Sequence, residues 1–134
     1  MTQNPIKQPT PAEWSILKVL WERGDSTVRQ VHEELQKSRK IGGTTVLKLM
    51  QIMTEKGLIE KARDRRPQRF RAKLSRERSQ KQFLLESLDR VFAGSAGKLV
   101  LHALSLEKAS PEELHQIREL LDRLEDAESG EGQK

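Results

Sequence analysis

The apolar residues of this chain keep helical spacing up to Gly57 and then change to alternation, and that switch of period leaves few folds open. Three segments precede it. Thr10-Pro11-Ala12-Glu13 has the form of a capping box with proline at the first helical position, and Trp14, Leu17, Leu20 and Trp21 follow at helical spacing up to Gly24. Thr27-Val28-Arg29-Gln30 offers a second cap, with Val28, Val31 and Leu35 marking the inner face of a shorter helix to about Lys37. The third segment, Ile41 to Leu58, begins with two glycines and two threonines and stops at Glu55-Lys56-Gly57. Beyond it, Leu58–Ala62 and Phe70–Leu74 read as short strands, with Phe70, Ala72 and Leu74 alternating across a turn-like connection, Arg63 to Arg69. Three helices followed by a two-stranded hairpin is the order of a winged helix-turn-helix. The expected class is mostly α with a small β-hairpin wing.

The remainder reads as helical. Ser75 is placed to cap a helix through Phe92 that carries Leu84, Leu85, Leu88, Val91 and Phe92. Gly94 breaks it, and Ser95 opens a short apolar helix with Leu99, Val100, Leu101, Ala103 and Leu104. Ser110-Pro111-Glu112-Glu113 forms another capping box. Leu114, Ile117, Leu121 and Leu124 then recur at 3-4-3 spacing, a narrow seam suited to helix pairing. A segment of roughly 50 residues has little capacity to bury such faces alone. A homodimer interleaved about a two-fold axis is the simplest solution; folding back on the winged domain is the other. The expected organisation is a flexible tail at 1–8, a winged-helix domain at 9–74, a helical dimerisation region at 75–128 and a second tail at 129–134.

Charge separates these regions. Between Glu60 and Lys81 there are ten Lys/Arg against three Asp/Glu, and between Glu107 and Lys134 nine acidic against four basic residues, within a net charge of +5. A basic middle points to a polyanion as partner. The chain has no cysteine, which excludes disulfides, thiolate metal sites and cysteine nucleophiles. No apolar run approaches the ~20 residues of a membrane span, so a cytoplasmic protein without membrane contact is expected. His32, His102 and His115 fall on three different helices without metal-ligand spacing, and no nucleophile–base pattern or phosphate-cradling glycine motif occurs. Neither an enzyme nor a bound cofactor is expected.

On a helical wheel the third segment divides cleanly. Val46, Leu49, Met50 and Met53 fall on one side, while Thr44, Lys48, Gln51 and Glu55 cluster opposite, with Thr45 on the flank. Hydroxyl and ammonium groups near a helix start can meet phosphates and base edges, and Gly42 and Gly43 allow close backbone approach. An ordinary amphipathic helix with a solvated face would show the same wheel. The neighbouring wing is what distinguishes the two: Lys61, Arg63, Arg65, Arg66, Arg69, Arg71 and Lys73 place seven basic residues within thirteen positions. The recognition helix is expected at about 44–56. Thr44, Thr45, Lys48 and Gln51 would meet the major groove, while Arg63, Arg65, Arg66 and Arg69 of the wing at 61–73 would lie on the backbone.

PTPAEWSILKVLWERGDSTVRQVHEEL, GTTVLKLMQIMTEKGLIEK, the wing with the SRE that follows, and the Phe-x-Gly-Ser break before Leu-Val together resemble the penicillinase-repressor family of the BlaI/MecI type, from Gln8 to Asp126. The resemblance implies a dimeric winged-helix repressor on a pseudo-palindromic operator. Thr44, Thr45 and Lys48 would match its DNA-reading positions. Leu84, Leu88, Val91, Phe92, Leu99, Leu104, Leu114, Ile117, Leu121 and Leu124 would lie in its dimer arms. Two departures stand out. Many members carry an aromatic residue, typically tyrosine, where Gly43 stands. Some are cleaved after an asparagine, on a signal from a membrane-bound sensor peptidase, in a stretch like Leu-Val-Leu-Asn-Phe; here the matching residues are Leu99-Val100-Leu101-His102-Ala103. A copper-responsive branch has C-terminal cysteines, which this chain lacks. Two other readings remain open: a winged-helix regulator with a small-molecule effector, and a helical protein-interaction module.

Overall fold

Threonine caps open the first two helices of the computed structural model, which describes residues 8–63 and 66–132. Helix α1 (Pro11–Arg23) and helix α2 (Val28–Leu35) begin at Thr10 and Thr27, each with both hydrogen bonds of a capping box. Helix α3 (Gly43–Lys56) ends at Gly57, whose φ of 82° is the left-handed conformation that glycine adopts without a Cβ penalty. Residues 1–7 of the expected tail, the wing residue Arg65, and residues 133–134 lie outside the described residues.

The wing contains a strand that the sequence does not announce. Strand β2 (Ile59–Lys61) pairs antiparallel with β3 (Arg69–Ala72) in the register Ile59↔Ala72 and Lys61↔Phe70. Bonds from Lys73 N–H to Leu58 C=O (3.0 Å) and from Ala62 N–H to Arg69 C=O (2.8 Å) extend that pairing over the expected segments. The other edge of β3 is taken by β1 (Ser26–Thr27), so the expected two-stranded hairpin is a three-stranded sheet in the order β1-β3-β2. Two residues are too few to show a period. They are held extended because Gly24 turns the chain at φ 90° and the buried Ser26 hydroxyl donates to the Gly24 carbonyl at 2.8 Å.

The core lies between the three helices and the sheet. Ile16, Leu17, Val19 and Leu20 of α1, Val31 and Leu35 of α2, Val46, Met50 and Met53 of α3, Ile59 of β2 and Phe70 of β3 are all buried together. Trp14, Trp21 and Leu49 pack partly buried on this cluster. The indole N–H of Trp21 donates to the Leu74 carbonyl at 3.0 Å, and the Trp14 ring meets Phe83 edge-on at 5.8 Å. The tryptophans thus tie α1 to the strand exit and to helix α4 (Arg76–Val91).

One ion pair is buried in this unit. The Glu13 carboxylate, 2% exposed, accepts from Lys56 Nζ at 2.7 Å and from the Thr10 N–H at 2.9 Å, joining the start of α1 to the end of α3. Removing one partner of such a pair leaves the other charge desolvated. Lys56→Met should therefore lower unfolding stability by about 2 kcal/mol, a figure reduced from the fully buried case because the lysine is partly exposed. A urea midpoint equal to that of the parent, at equal slope, would show that the pair is dispensable.

The chain divides into two compact units between Ser87 and Leu88, inside α4. The second unit contains helix α5 (Ala96–Leu106), capped by Ser95, and helix α6 (Pro111–Gly132), opened by reciprocal bonds between Ser110 and Glu113. The tail expected from Ser129 is helical as far as Gly132. Ser-Gly-Glu-Gly holds no proline, and glycine weakens a helix without removing a backbone donor. No described residue from Leu88 onward is buried.

Candidate nucleic-acid interface

Helix α3 is built to be held on one side and open on the other. Val46, Met50 and Met53 are fully buried, whereas Thr44, Thr45, Lys48, Gln51 and Glu55 are exposed, as the wheel requires. Its N-cap, Gly42, makes no side-chain capping bond, unlike Thr10 and Thr27, so the first-turn N–H groups keep no side-chain acceptor.

The entry to α3 is pinned from α2. His32 Nε2 lies 2.8 Å from the Ile41 carbonyl and 2.7 Å from Gln36 Nε2. Gln36 Nε2 also reaches the Ile41 carbonyl at 3.3 Å. A Cβ built at Gly43 would meet His32 Nδ1 at 3.6 Å, in ordinary van der Waals contact, while one at Gly42 would meet nothing within 4 Å. The two glycines therefore differ: Gly42 is open, and Gly43 stands half-buried against α2.

The wing presents its cations unequally. Across the strands, Arg71 Nε sits 3.0 Å from Glu60 Oε2, so this guanidinium is already partnered. Among the described residues no ion pair engages Lys48, Lys61, Arg63, Arg66 or Arg69. Arg63, Arg66, Arg69 and Arg71, together with Asp25, line a concavity of about 720 Å³ on the wing. A second groove, of about 860 Å³, runs between α3 and the wing, with Leu47, Gln51 and Glu55 on one wall and Lys61, Pro67 and Gln68 on the other. The structure thus brings Gln51 and the wing to one face, continuous along α3 with Thr44, Thr45 and Lys48.

Sequence reasoning leaves two members of this face unassigned. Leu47 and Ile52 are 42% and 36% exposed on α3, flanking the polar stripe. A wheel finds Leu47 between Gln51 and Thr54; being apolar, it suggests core to any pattern of hydrophobic spacing.

Residues 9–123 match the penicillinase repressor family, from just before α1 to well within α6. The chain belongs to the penicillinase repressor family. Its members are transcriptional repressors. Among the relatives, the methicillin resistance regulatory protein MecI of Mammaliicoccus sciuri is 21% identical over 90% of this chain and 98% of its own length. The transcriptional regulator BlaI of Mycobacterium tuberculosis (strain H37Rv) is 30% identical over 84% of this chain and 82% of its own. Among solved structures, a MarR family protein from Bacillus stearothermophilus superposes with a TM-score of 0.47 at 25% identity, covering 94% of this chain and 77% of that one.

The second unit of this repressor-family chain has a different surface. Val91, Leu104, Leu114, Leu121 and Leu124 are exposed, and Leu88, Phe92, Leu99 and Ile117 are half-buried, while Leu84 is exposed on the part of α4 that belongs to the first unit. Val100, Leu101, Leu106 and Leu120 add to the exposed apolar area of the second unit, and Leu85 to that of the first. His102-Ala103 lies within α5, with the imidazole 6.0 Å from the Phe92 ring. His115 sits 3.4 Å from Glu119 on α6. The described residues contain no grouping of three or more histidines and carboxylates that could hold a metal, and no helix long and apolar enough to cross a membrane.

Proposed function

We propose that the chain is a homodimeric, sequence-specific repressor that binds double-stranded operator DNA in the cytoplasm. The observation that carries this reading is the exposed Thr44, Thr45, Lys48 and Gln51 stripe beside wing arginines that have no carboxylate partner among the described residues. A cationic surface of this kind releases counterions when phosphates replace them, and a polar helix face fits the donor and acceptor pattern of the major groove. Apolar faces on α4, α5 and α6 supply the second half of the argument. Two copies that cover them would present two α3 helices to half-sites about 10 base pairs apart, or a multiple of that.

Lys48 distinguishes reading from mere adhesion. Lys48→Ala should weaken binding to a selected operator about tenfold, within the range of one good base contact, while affecting random duplex less. Fluorescence anisotropy titrations on both duplexes across a salt series check this. Equal losses on both would reduce Lys48 to a phosphate contact, and a flat salt dependence of the parent would sink the DNA reading altogether. Release through a sensor peptidase is not proposed, because His102-Ala103 stands where cleaved relatives carry Asn-Phe.

A further inference from the structure

Leu47 stands on the outward side of α3, although the inner face of that helix is already filled by Val46, Met50 and Met53. A single exposed leucine is unremarkable on most surfaces. Its surroundings make this one informative. Gln51 follows one helical turn later on the same side, as i and i+4 positions must. Both side chains line the groove between α3 and the wing, with Pro67 and Gln68 on the far wall. The cations that would draw a phosphate backbone toward this groove, Lys48, Lys61 and Arg69, have no ion-pair partner among the described residues.

The major groove offers one apolar feature that identifies a base, the 5-methyl group of thymine. Its adenine partner in that base pair, or a neighbouring adenine, offers N6 and N7 to a glutamine amide. On that chemistry we propose that Leu47 is a specificity-determining residue that packs on a thymine methyl in each operator half-site, with Gln51 reading an adenine beside it. The inference rests on the repressor reading above and adds to it the base composition of the site. Thr44 and Thr45 offer one methyl group each and Lys48 none, so the Leu47→Ala variant separates their contacts from that of Leu47.

The test uses the full chain and duplexes enriched by it from a randomised pool. Each thymine of the enriched site is replaced in turn by deoxyuridine, which removes the methyl group and leaves the pairing intact. At one thymine per half-site the parent protein should lose about fourfold in affinity, the equivalent of one buried methyl-sized group. Leu47→Ala, which removes the contact from both half-sites of the dimer, should bind the unmodified site about fifteenfold more weakly and be indifferent to deoxyuridine at that position. Alanine is the best helix former and the position is exposed, so this variant keeps the fold. Selection repeated with Leu47→Gln should lose the thymine preference at the same place. If a site is enriched but no deoxyuridine substitution weakens the parent, or if Leu47→Ala keeps the parent's sensitivity, the role of Leu47 is overturned while the repressor reading stands. If the pool yields no enriched sequence, both fall together.

Discussion

Ile117→Asp combined with Leu121→Asp should convert the protein to monomers and reduce operator affinity by about a hundredfold or more. Eight apolar side chains of α5 and α6, from Val100 to Leu124, are each 37% exposed or more, in a unit where no described residue is buried. Water contact at so many leucines is costly: each one fully removed from solvent contributes about 1.5–3 kcal/mol. Ile117 and Leu121 sit in the middle of the seam formed with Leu114 and Leu124, so two carboxylates there would be buried without partners in any helix-pairing arrangement. The consequence for DNA follows from linkage of two readers. A dimer engages the second half-site intramolecularly, and losing that advantage lowers avidity by a factor on the order of 10²–10⁴. Sedimentation velocity measures the first effect and operator titration the second. A variant that still sediments as a dimer would move the contact to the apolar residues of α4 and α5.

The second large effect is expected at the wing. Arg66→Ala with Arg69→Ala should weaken binding to every duplex, enriched or random, and flatten the log–log salt dependence by about 1.8, since each phosphate that goes unneutralised removes about 0.9 from the slope. Both arginines are exposed and form no ion pair among the described residues. Arg71 makes the control, because its guanidinium is held 3.0 Å from Glu60. Arg71→Ala should change the slope by less than half as much as the double variant. Equal slopes for the double variant, Arg71→Ala and the parent would remove the wing from the backbone contact.

Much of the fold is legible in the sequence because its signals are local. The caps at Thr10, Thr27, Ser95 and Ser110 depend on a residue and its third neighbour, and all four are present as hydrogen bonds. The inner face of α3 depends only on a 3.6-residue period. The exposed polar stripe of the candidate site follows from the same period, since residues opposite a buried face are left to solvent. Strand β1 escapes because its two residues are ordered by Gly24, by the Ser26 hydroxyl and by the free edge of β3, none of which forms a pattern. Gly43 reads as a point of backbone approach, yet its neighbour is His32, eleven residues earlier and on another helix. Leu47 is hidden because an apolar residue at helical spacing suggests burial until the rest of the core has been filled.

Local sequence alone sets where the helices start, which faces of α1, α2 and α3 turn inward, and that the middle of the chain is basic. These are consequences of spacing, capping and charge, which neighbouring residues carry among themselves. Long-range packing pairs Arg71 with Glu60 while Arg66 and Arg69 have no ion-pair partner among the described residues, buries Glu13 against Lys56, and opens Leu47 onto the groove beside the wing. Each of those depends on which distant segments meet, and a contact between segments is set by the packing of the whole unit rather than by the residues on either side.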